Sequence, residues 1–566
     1  MKPALLACLL ITGLLFGRAA LAQETPSPEE TATPLITPAP LPPPGPTEAP
    51  SPLTSPTTTP PAQPLQANPS QVQSNVGVSK TIVVTGATGA LTATVDPKIA
   101  TVAVSGATVT VTPTMNGRAT VHVVDTTGAS VDVFLRVAPN AATISKFLNV
   151  KVTGNADEAF IANETALQVR GAVNANAGTT INIGLIPPPT EALPVGGQYT
   201  FGLPVTVLGG DQYLDVSDIM RVTVQHVAAQ PFSPTILYYS DDPERIVSDG
   251  VLFRGTVTAG TPVRLYDYHE NGTDPRRLVI VLSTSSTTPT TAQVVESFAG
   301  PNIDVMGVGH AVAKNFLIQK PRNEGVVLDL PDGAPIFRRD VLLQMQQGTA
   351  DVADIQILQG GPLTITVLAA SPSVPAATLL SGAQLPSDGK GRHGTFTLAN
   401  YGAQTLDFTV GAQDATVTLG DREQTVPRFN AADPGVDYGD YGVTFNLHLI
   451  ARNTGDTAQT VYIYEAPRGG PVRATYLLDG SATPTELGCG TSPPTATSPA
   501  RRYLIGQFDV APHSAQTHTM WTMTEGGSNY PLVIGLTTNP PEPQTPPIFG
   551  PEGCFPKPQA ALKTHG

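Results

Sequence analysis

The chain of 566 residues has only three cysteines, one tryptophan and 6% aromatic residues. So few aromatic side chains argue against a sugar-processing enzyme, whose cleft usually needs several aromatic subsites. Charged residues make up only 13% of the chain, and acids outnumber bases, so the formal net charge is −14. A chain of this charge lacks the basic surface that nucleic acids or anionic lipids require, and we expect no nucleic-acid partner.

Sequence motifs of catalysis are also absent. The chain contains no Gly-x-Ser-x-Gly elbow, no His-Glu-x-x-His, no phosphate loop and no complete EF-hand loop. The only two histidines near each other, His513 and His518, are five residues apart. On a strand that spacing places them on opposite faces, which is unsuitable for binding one metal. We therefore expect no enzyme activity, no catalytic residue and no cofactor beyond a structural Ca²⁺.

Residues 1–22 have the three parts of a secretory signal peptide. Lys2 supplies the positive charge, Ala4 to Phe16 are almost all apolar, and Ala20-Leu21-Ala22 is the pattern that signal peptidase cleaves. An uncleaved anchor is the alternative, but the apolar run is shorter than the roughly 20 residues that span a bilayer. A lipoprotein signal at Cys8 is a further alternative, although few residues precede it. We expect an exported protein, periplasmic, cell-surface or extracellular, with no transmembrane segment in the mature chain.

Two cysteines, Cys489 and Cys554, remain after cleavage of the signal. In an oxidising compartment an even pair most simply forms one disulfide. It would close a loop of about 65 residues, which the chain-entropy model values at roughly 4 kcal/mol. A metal site and a reactive thiol are the alternatives, but neither cysteine has a histidine or second thiol at ligand spacing. A structural disulfide is therefore favoured.

The next segment is dominated by proline, with sixteen among the 48 residues from Gln23 to Ser70. Proline removes backbone donors and blocks helix and sheet ladders, so we predict a disordered, extended stalk over residues 23–71. At ~3.1 Å per residue the stalk would reach at most about 150 Å. A spacer that holds the following modules away from a surface explains this placement better than a tail without a role.

After the stalk, short runs of alternating apolar and polar residues are separated by glycine-containing turns, which is typical of β-strands. Period-2 strands with one buried face predict an all-β chain of tandem β-sandwich (Ig-like) domains. The predicted segments are an Ig-like sandwich at 72–139, sandwiches at 140–230, 231–370 and 391–545, a linker at 371–390 and a Pro-rich tail at 546–566. Helix is expected to be scarce, with a short segment at His310–Gln319, while Arg338–Gln347 fits either a strand or a turn of helix.

The sandwiches at 231–370 and 391–545 are predicted to be diverged copies of one unit. Arg277–Leu282 is matched with Phe445–Ile450, and Gly360-Gly361 before an apolar run is matched with Gly526-Gly527. A recurrence over ~170–180 residues indicates duplication of a domain.

The first sandwich carries a family resemblance. Ile99-Ala100-Thr101-Val102, then Gly106, then Gly117-Arg118-Ala119-Thr120-Val121 resembles bacterial Ig-like modules of the group 2 type. It also resembles the related N-terminal domain of pilus-formation proteins and pilus secretins. The resemblance covers residues 72–138 only, and it implies a structural or adhesive module without an active site.

One cluster of acids and tyrosines is a candidate ligand site. Tyr238 and Tyr239 precede one group of acids, and Tyr266 and Tyr268 alternate with the other; the candidates are Asp241, Asp242, Glu244, Asp267, His269 and Glu270. Such groups suit Ca²⁺ binding through oxygen, or a sugar held between aromatic faces and acids. The alternative is that the tyrosines pack a sheet and the acids form turns.

A second cluster lies on a glycine-rich loop that carries Asp433, Asp437 and Asp440. Three carboxylates on one loop suit a structural Ca²⁺, although the spacing follows no standard loop. An ordinary connecting loop is the alternative.

Together these patterns favour an exported, non-catalytic protein of the cell envelope or cell surface with a structural or adhesive role. Its expected partners are envelope or appendage proteins or surface glycans. One alternative, indicated by the Ig-like module alone, is an accessory of a pilus or secretin-type secretion system. The other is a carbohydrate-binding or carbohydrate-processing protein that uses the first acidic cluster, which requires those side chains to converge on one concave surface.

Overall fold

The computed structural model describes residues 64–284, 289–331, 333–399, 401–490 and 501–543. The predicted signal peptide, most of the predicted stalk and the tail at 546–566 lie outside these ranges, and so do Cys554 and the side chain of Cys489. The described chain is a β-protein with two α-helices, and the all-β sandwich class predicted from the sequence is confirmed. Within the described ranges, neither helix has the length and apolarity needed to cross a bilayer.

The N-terminal module is a sandwich of two four-stranded sheets. The first has the order β1-β3-β6-β5 and the second β2-β8-β7-β4, with β1 Gln66–Asn68, β2 Gln71–Ser74, β3 Lys80–Thr85, β4 Leu91–Thr94, β5 Ala100–Ser105, β6 Thr108–Pro113, β7 Gly117–Asp125 and β8 Ser130–Val137. Period-2 burial, as at Val109 and Val111, fills the space between the sheets. The stalk predicted for 23–71 is wrong at its end, because β1 pairs with Val83–Thr85.

The next block mixes strands with a helix. Its elements are β9 Ala142–Ile144, β10 Phe147–Thr153, α1 Glu158–Gly171, β11 Val173–Ala175, β12 Thr180–Ile183, β13 Gln198–Leu208 and β14 Val216–His226. Helix α1 begins where the Asp157 side chain accepts a hydrogen bond from the Phe160 amide. It buries Ile161 and Val169 against the sheet. The purely β-sandwich architecture predicted for 140–230 is therefore corrected by this helix.

The segment that follows contains a jelly roll, which we call jelly roll 1. Two strands precede it, β15 Ile236–Ser240 and β16 Arg245–Ile246, and its own elements are β17 Gly250–Val257, β18 Val263–Asn271, β19 Arg276–Thr284, β20 Thr290–Asn302, α2 Val305–Gln319, β21 Gly325–Leu330, β22 Ile336–Leu343, β23 Gly348–Gln359 and β24 Leu363–Ala370. Counted from β17, its eight strands pair in the orders 1-8-3-6 and 2-7-4-5. This connectivity is that of the jelly roll.

The last segment repeats the same plan as jelly roll 2. Its elements are β25 His393–Thr397, β26 Ala403–Thr409, β27 Ala415–Leu419, β28 Thr444–Asn453, β29 Gln459–Pro467, β30 Val472–Leu478, β31 Thr485–Gly490, β32 Tyr503–Val510, β33 Ser514–Met523 and β34 Leu532–Thr537. Counted from β27, the strand orders are again 1-8-3-6 and 2-7-4-5. In each copy a preceding strand, β15 or β26, runs parallel to the second strand. Short 3-10 turns at Lys320–Arg322 and Ala376–Leu379 complete the described helical structure.

One eleven-stranded sheet joins several of the segments predicted to be separate. Its order is β12-β13-β14-β10-β21-β20-β23-β18-β15-β25, with β16 paired to β18. The boundary predicted at 230/231 falls inside this sheet, since β10 pairs with β21. Strand β25 lies beyond the predicted linker yet pairs with β15 of the preceding segment. A single apolar core, which extends from Ala141 to Ala369, fills the space under most of this sheet.

Helix α2 joins the two jelly rolls. It covers the predicted His310–Gln319 and begins five residues earlier, where the Asp304 side chain accepts a hydrogen bond from the Gly307 amide. Val312 and Phe316 are buried in a core shared with jelly roll 2. Arg264 on β18 also links the copies, because its guanidinium binds Asp354 at 2.7 Å and donates to the Gly442 carbonyl at 2.9 Å. The two jelly rolls are thus fixed to each other by buried contacts.

Candidate functional site

A cavity of about 490 Å³ lies where the two jelly rolls meet. Jelly roll 1 and the β15 end supply one wall, and the other comes from residues 390–392, 422, 438–441 and 526–530. Six of the fourteen tyrosines of the chain line it, so this cavity is rich in aromatic groups although the chain is not. They are Tyr239, Tyr266, Tyr268, Tyr438, Tyr441 and Tyr530.

The alternation of strand β18 decides which side chains reach the cavity. Tyr266 and Tyr268 line it, whereas Asp267 and His269, the intervening residues, belong to the opposite face. There His269 Nε2 lies 3.2 Å from Asp267 Oδ1 and 3.0 Å from the Ser240 hydroxyl. The predicted candidates Asp267 and His269 are therefore buried behind the wall and do not face a ligand.

Glycines allow the second wall to approach these rings. A Cβ on Gly442, whose φ is +78°, would lie 2.7 Å from Tyr266 ring atoms. On Gly526 it would lie 2.5 Å from the Tyr266 hydroxyl, and on Gly527, with φ +74°, it would lie 2.7 Å from the Tyr268 hydroxyl. Contacts this short exclude a side chain, so the cavity needs glycine at these positions.

Asp241 is the most unusual group of the site, because its carboxyl is only 5% exposed. The Tyr239 hydroxyl donates to Oδ2 at 3.0 Å, and Arg392 Nε lies 3.7 Å from the same oxygen. Burial raises the pKa of Asp241 to about 8, against the opposing effect of the Arg392 charge. At neutral pH this side chain is protonated and can donate a hydrogen bond.

Arg392 is held beside Asp241 by the sheet. The pairing of β15 with β25 continues by one residue beyond the two strands, so the Asp241 amide donates to the Arg392 carbonyl at 3.1 Å. The Arg392 guanidinium binds Glu244 at 2.6 Å and Asp388 at 2.8 Å. Glu244 also faces Lys390, 3.8 Å away. Asp241 and Glu244 are therefore the two predicted acids that reach the cavity.

Three buried polar atoms of the lining make no hydrogen bond to any residue that the structure describes. They are Asp241 Oδ1, the Tyr266 hydroxyl and Arg392 Nε. Buried polar atoms normally have partners, because an unmet group costs about 1–3 kcal/mol. Such a concentration at one cavity is a mark of a binding site.

The remaining two candidates of the first cluster serve the framework. Asp242 accepts from the Ser387 hydroxyl at 2.6 Å and from the Asp388 amide at 2.7 Å, which fastens the predicted linker to jelly roll 1. Glu270 pairs with Arg245 at 3.2 Å. Neither residue lines the cavity.

The predicted Ca²⁺ loop has a different arrangement. Asp433 accepts from the Gly435 amide at 2.9 Å, Asp437 from the Tyr441 amide at 2.8 Å, and Asp440 from the Val426 amide at 2.7 Å. Asp433 and Asp437 thus cap their own turns, whereas Asp440 ties the loop to the distant backbone of Val426. Within the described residues no three metal-ligating side chains come together. The loop instead supplies Tyr438, Gly439 and Tyr441 to the cavity.

Several functional residues were not singled out from the sequence. Lys390 is the last residue of the predicted linker, Arg392 lies two residues beyond it, and Arg422 lies in another loop, 5.5 Å from the ring centre of Tyr438. Their position depends on the contact between the copies, for which the sequence carries no local signal. Of the residues not singled out, Tyr438 and Tyr441 lie beside the predicted candidates Asp437 and Asp440.

Comparisons with known proteins give no assignment. No family model and no curated protein matches the chain. Among solved structures, it is similar to a Bacteroides ovatus mixed-linkage glucan utilization locus protein, SGBP-B, in complex with a heptasaccharide, at 10% identity over 50% of this chain and 72% of that one, with a TM-score of 0.11. Protocadherin gamma B7 cadherin domains match at 13% identity over 50% and 76%, with a TM-score of 0.12. Lac15 from a marine microbial metagenome matches at 10% identity over 84% and 90%, with a TM-score of 0.10. At such scores none of them carries a conclusion about function.

Proposed function

We propose that this chain is an exported protein of the cell envelope or surface that binds a glycan, without turnover, in the cavity between its two jelly rolls. The observation that carries the proposal is the convergence of six tyrosines and three unmet buried polar atoms on one cavity. The volume of about 490 Å³ lies within the range of small-ligand sites.

The chemistry of the lining suits a sugar. A sugar ring presents apolar C–H faces and a rim of hydroxyl groups, so it needs flat apolar surfaces and polar groups in alternation. Tyrosine supplies both, since its ring is apolar and its hydroxyl is polar. Tyr438, 48% exposed at the mouth, offers an open ring face, while Glu244 and Asn529 add acceptors and donors.

The rest of the chain is consistent with display of such a site. The signal peptide and stalk predicted from the sequence would place the modules outside the cytoplasm and hold them away from their attachment point. An adhesive role through glycan binding then combines the site with that position.

The test is binding of the mature chain to an array of glycans, followed by calorimetry with each glycan retained. Tyr438→Ala is expected to weaken binding about tenfold or more, because it removes an open aromatic face. Phe429→Ala is the matched control, since Phe429 is a 60% exposed aromatic residue of the same region outside the cavity. Retention of no glycan, or equal losses in both variants, would disprove the proposal.

Glycoside hydrolysis is a second candidate, favoured by one observation. Asp241, protonated at neutral pH, and Glu244 both contact Arg392 in the wall of the cavity. Glycoside hydrolysis uses one protonated carboxyl to donate a proton to the leaving oxygen and one carboxylate to activate water. Mass spectrometry of a retained glycan after prolonged incubation distinguishes the two candidates. An unchanged mass supports binding without hydrolysis. Shorter fragments of the glycan that are absent with Asp241→Asn establish hydrolysis.

A further inference from the structure

The three polar atoms of the cavity that lack a hydrogen-bond partner among the described residues can all act as hydrogen-bond donors. Tyr266 carries a hydroxyl hydrogen, Arg392 Nε carries a hydrogen, and Asp241 carries one when protonated. Tyr266 and Asp241 are 1% and 5% exposed, so water has little access to them. Arg392 Nε faces the Asp241 carboxyl at 3.7 Å, which is beyond hydrogen-bonding distance. Donors that lack an acceptor within that distance suit a ligand that is rich in acceptor oxygens.

The charges of the lining favour an anion as well. Lys390, Arg392 and Arg422 contribute three positive charges to the lining. The negative charges beside them are those of Glu244 and of Asp388, which binds Arg392 at 2.8 Å. Within the described residues no carboxylate lies within 4 Å of Arg422. A locally positive lining is unexpected in a chain with a formal charge of −14, and it would attract an anionic ligand.

We propose that the cavity selects glycans that carry uronic acids, and that the sugar carboxylate accepts hydrogen bonds from Asp241, Tyr266 and Arg392. This inference rests on the proposed glycan function and adds the chemical class of the glycan. A carboxylate has two oxygens with about four acceptor sites, enough for three donors. Charge-assisted hydrogen bonds of this kind are about twice as strong as those to a neutral hydroxyl.

The experiment compares each acidic glycan with its own neutral form. Oligomers of galacturonate, mannuronate and glucuronate-containing hyaluronan are titrated into the mature chain by calorimetry at 0.15 M salt, beside the same oligomers with their carboxyl groups reduced to alcohols. We expect at least one acid form to bind ten times or more tightly than its reduced form. Equal binding of both forms overturns the carboxylate inference but leaves the glycan function standing.

Two further outcomes separate the proposals. If the array yields no glycan at all, the proposed function fails and the inference fails with it. A carboxylate is also present at the end of a peptide, so short peptides with free and amidated C-termini are titrated in parallel. Binding of the free peptide without binding of any uronate overturns the assignment to a glycan.

A pair of conservative variants distinguishes recognition from folding. Tyr266→Phe removes a hydroxyl that has no protein partner, so we expect unchanged thermal stability and a loss of the preference for the acid form. Tyr238→Phe removes a hydroxyl on the other face of β15 that donates to the Thr256 carbonyl at 2.5 Å, so we expect lower stability and unchanged binding. If Tyr266→Phe keeps the full preference for the acid, the hydroxyl is not part of the carboxylate site and the inference is refuted.

Discussion

The buried carboxyl of Asp241 makes the stability of the protein depend on pH in a direction opposite to that of a salt-bridged acid. Its pKa is raised from 3.8 to about 8. Between these values the folded chain retains a proton that the unfolded chain has released, so the free energy of unfolding falls as pH rises. Each unit corresponds to about 1.4 kcal/mol, so the interval from pH 5 to pH 7 costs ~2.7 kcal/mol.

Asp241→Asn removes this titration while it keeps the shape of the side chain. We expect the variant to gain stability relative to the parent as pH rises, with the difference in unfolding free energy changing by about 2–3 kcal/mol between pH 5 and pH 7. Any packing effect of the amide is the same at both pH values and cancels in this comparison.

Urea titrations at the two pH values measure the effect through the fluorescence of Trp521, the only tryptophan, which lies on β33 and packs against the core shared by the two jelly rolls. Asp211→Asn is the control, because the Asp211 side chain is 95% exposed and meets water in both the folded and the unfolded chain. If Asp241→Asn changes the unfolding free energy equally at pH 5 and pH 7, the reasoning is refuted and the carboxyl is ionised in the folded protein.

Three further perturbations test the contacts between the jelly rolls. Arg264→Ala leaves Asp354 buried without its main partner, and calorimetry should show a loss of about 3–5 kcal/mol; a loss below 1 kcal/mol would contradict the buried ion pair. Burial opposes the charge of His310, but its contacts with two glutamates raise its pKa overall, so the stabilisation is present below about pH 6.5 and is lost as pH rises through the folded pKa. His310→Gln should therefore destabilise more at pH 5.5 than at pH 8.5 in urea titrations, and the reverse order would refute the ion pairs. Gly527→Ala should cost about 1–3 kcal/mol and weaken glycan binding in calorimetry, because the new Cβ would lie 2.7 Å from the Tyr268 hydroxyl and 2.8 Å from Met306 Cα; unchanged stability and binding would contradict this close approach.

The local part of the fold is predictable from the sequence because strand alternation is a local property. Apolar and polar residues alternate over Leu91–Val95, which contains β4, and Thr81–Thr85, whose residues are all β-branched, lies within β3. The pairing of distant strands is not predictable in this way, because a period-2 pattern does not specify which strand lies beside it in the sheet. For that reason the boundary at 230/231 was placed inside a continuous sheet, and α1, whose sequence has only a weak apolar face, was missed.

The duplication shows both the strength and the limit of pattern matching. Gly360-Gly361 and Gly526-Gly527 do precede equivalent strands, β24 and β34. However, Arg277–Leu282 lies in β19, whose counterpart by topology is β29, whereas Phe445–Ile450 lies in β28. Helix α2 is the reason. It adds residues to jelly roll 1 that jelly roll 2 lacks, so the offset that aligns β24 with β34 does not align β19 with β29.

The sequence indicated the types of residue in the candidate site, but not which individual residues line the cavity. Six acidic or imidazole side chains were named in the first cluster, and Asp241 and Glu244 reach the cavity. The others fail because a one-residue step along a strand reverses the face, as at Asp267, or because the side chain caps a loop, as at Asp242. Arg392 depends on β25 crossing to the other copy, which is a property of the tertiary fold.

Strand β25 belongs to one half of the protein by sequence and to the other half by strand pairing. It follows the linker in the chain, yet it forms the last strand of the sheet that belongs to the preceding copy. A fragment cut at the linker would leave unpaired the edge of β15 that faces β25, and it would divide the cavity between two polypeptides. The two halves, although alike in strand order, are therefore not exchangeable units. Recombination that swaps one jelly roll for another would have to move β25 with its neighbour, so we expect the pair to be inherited as a single module.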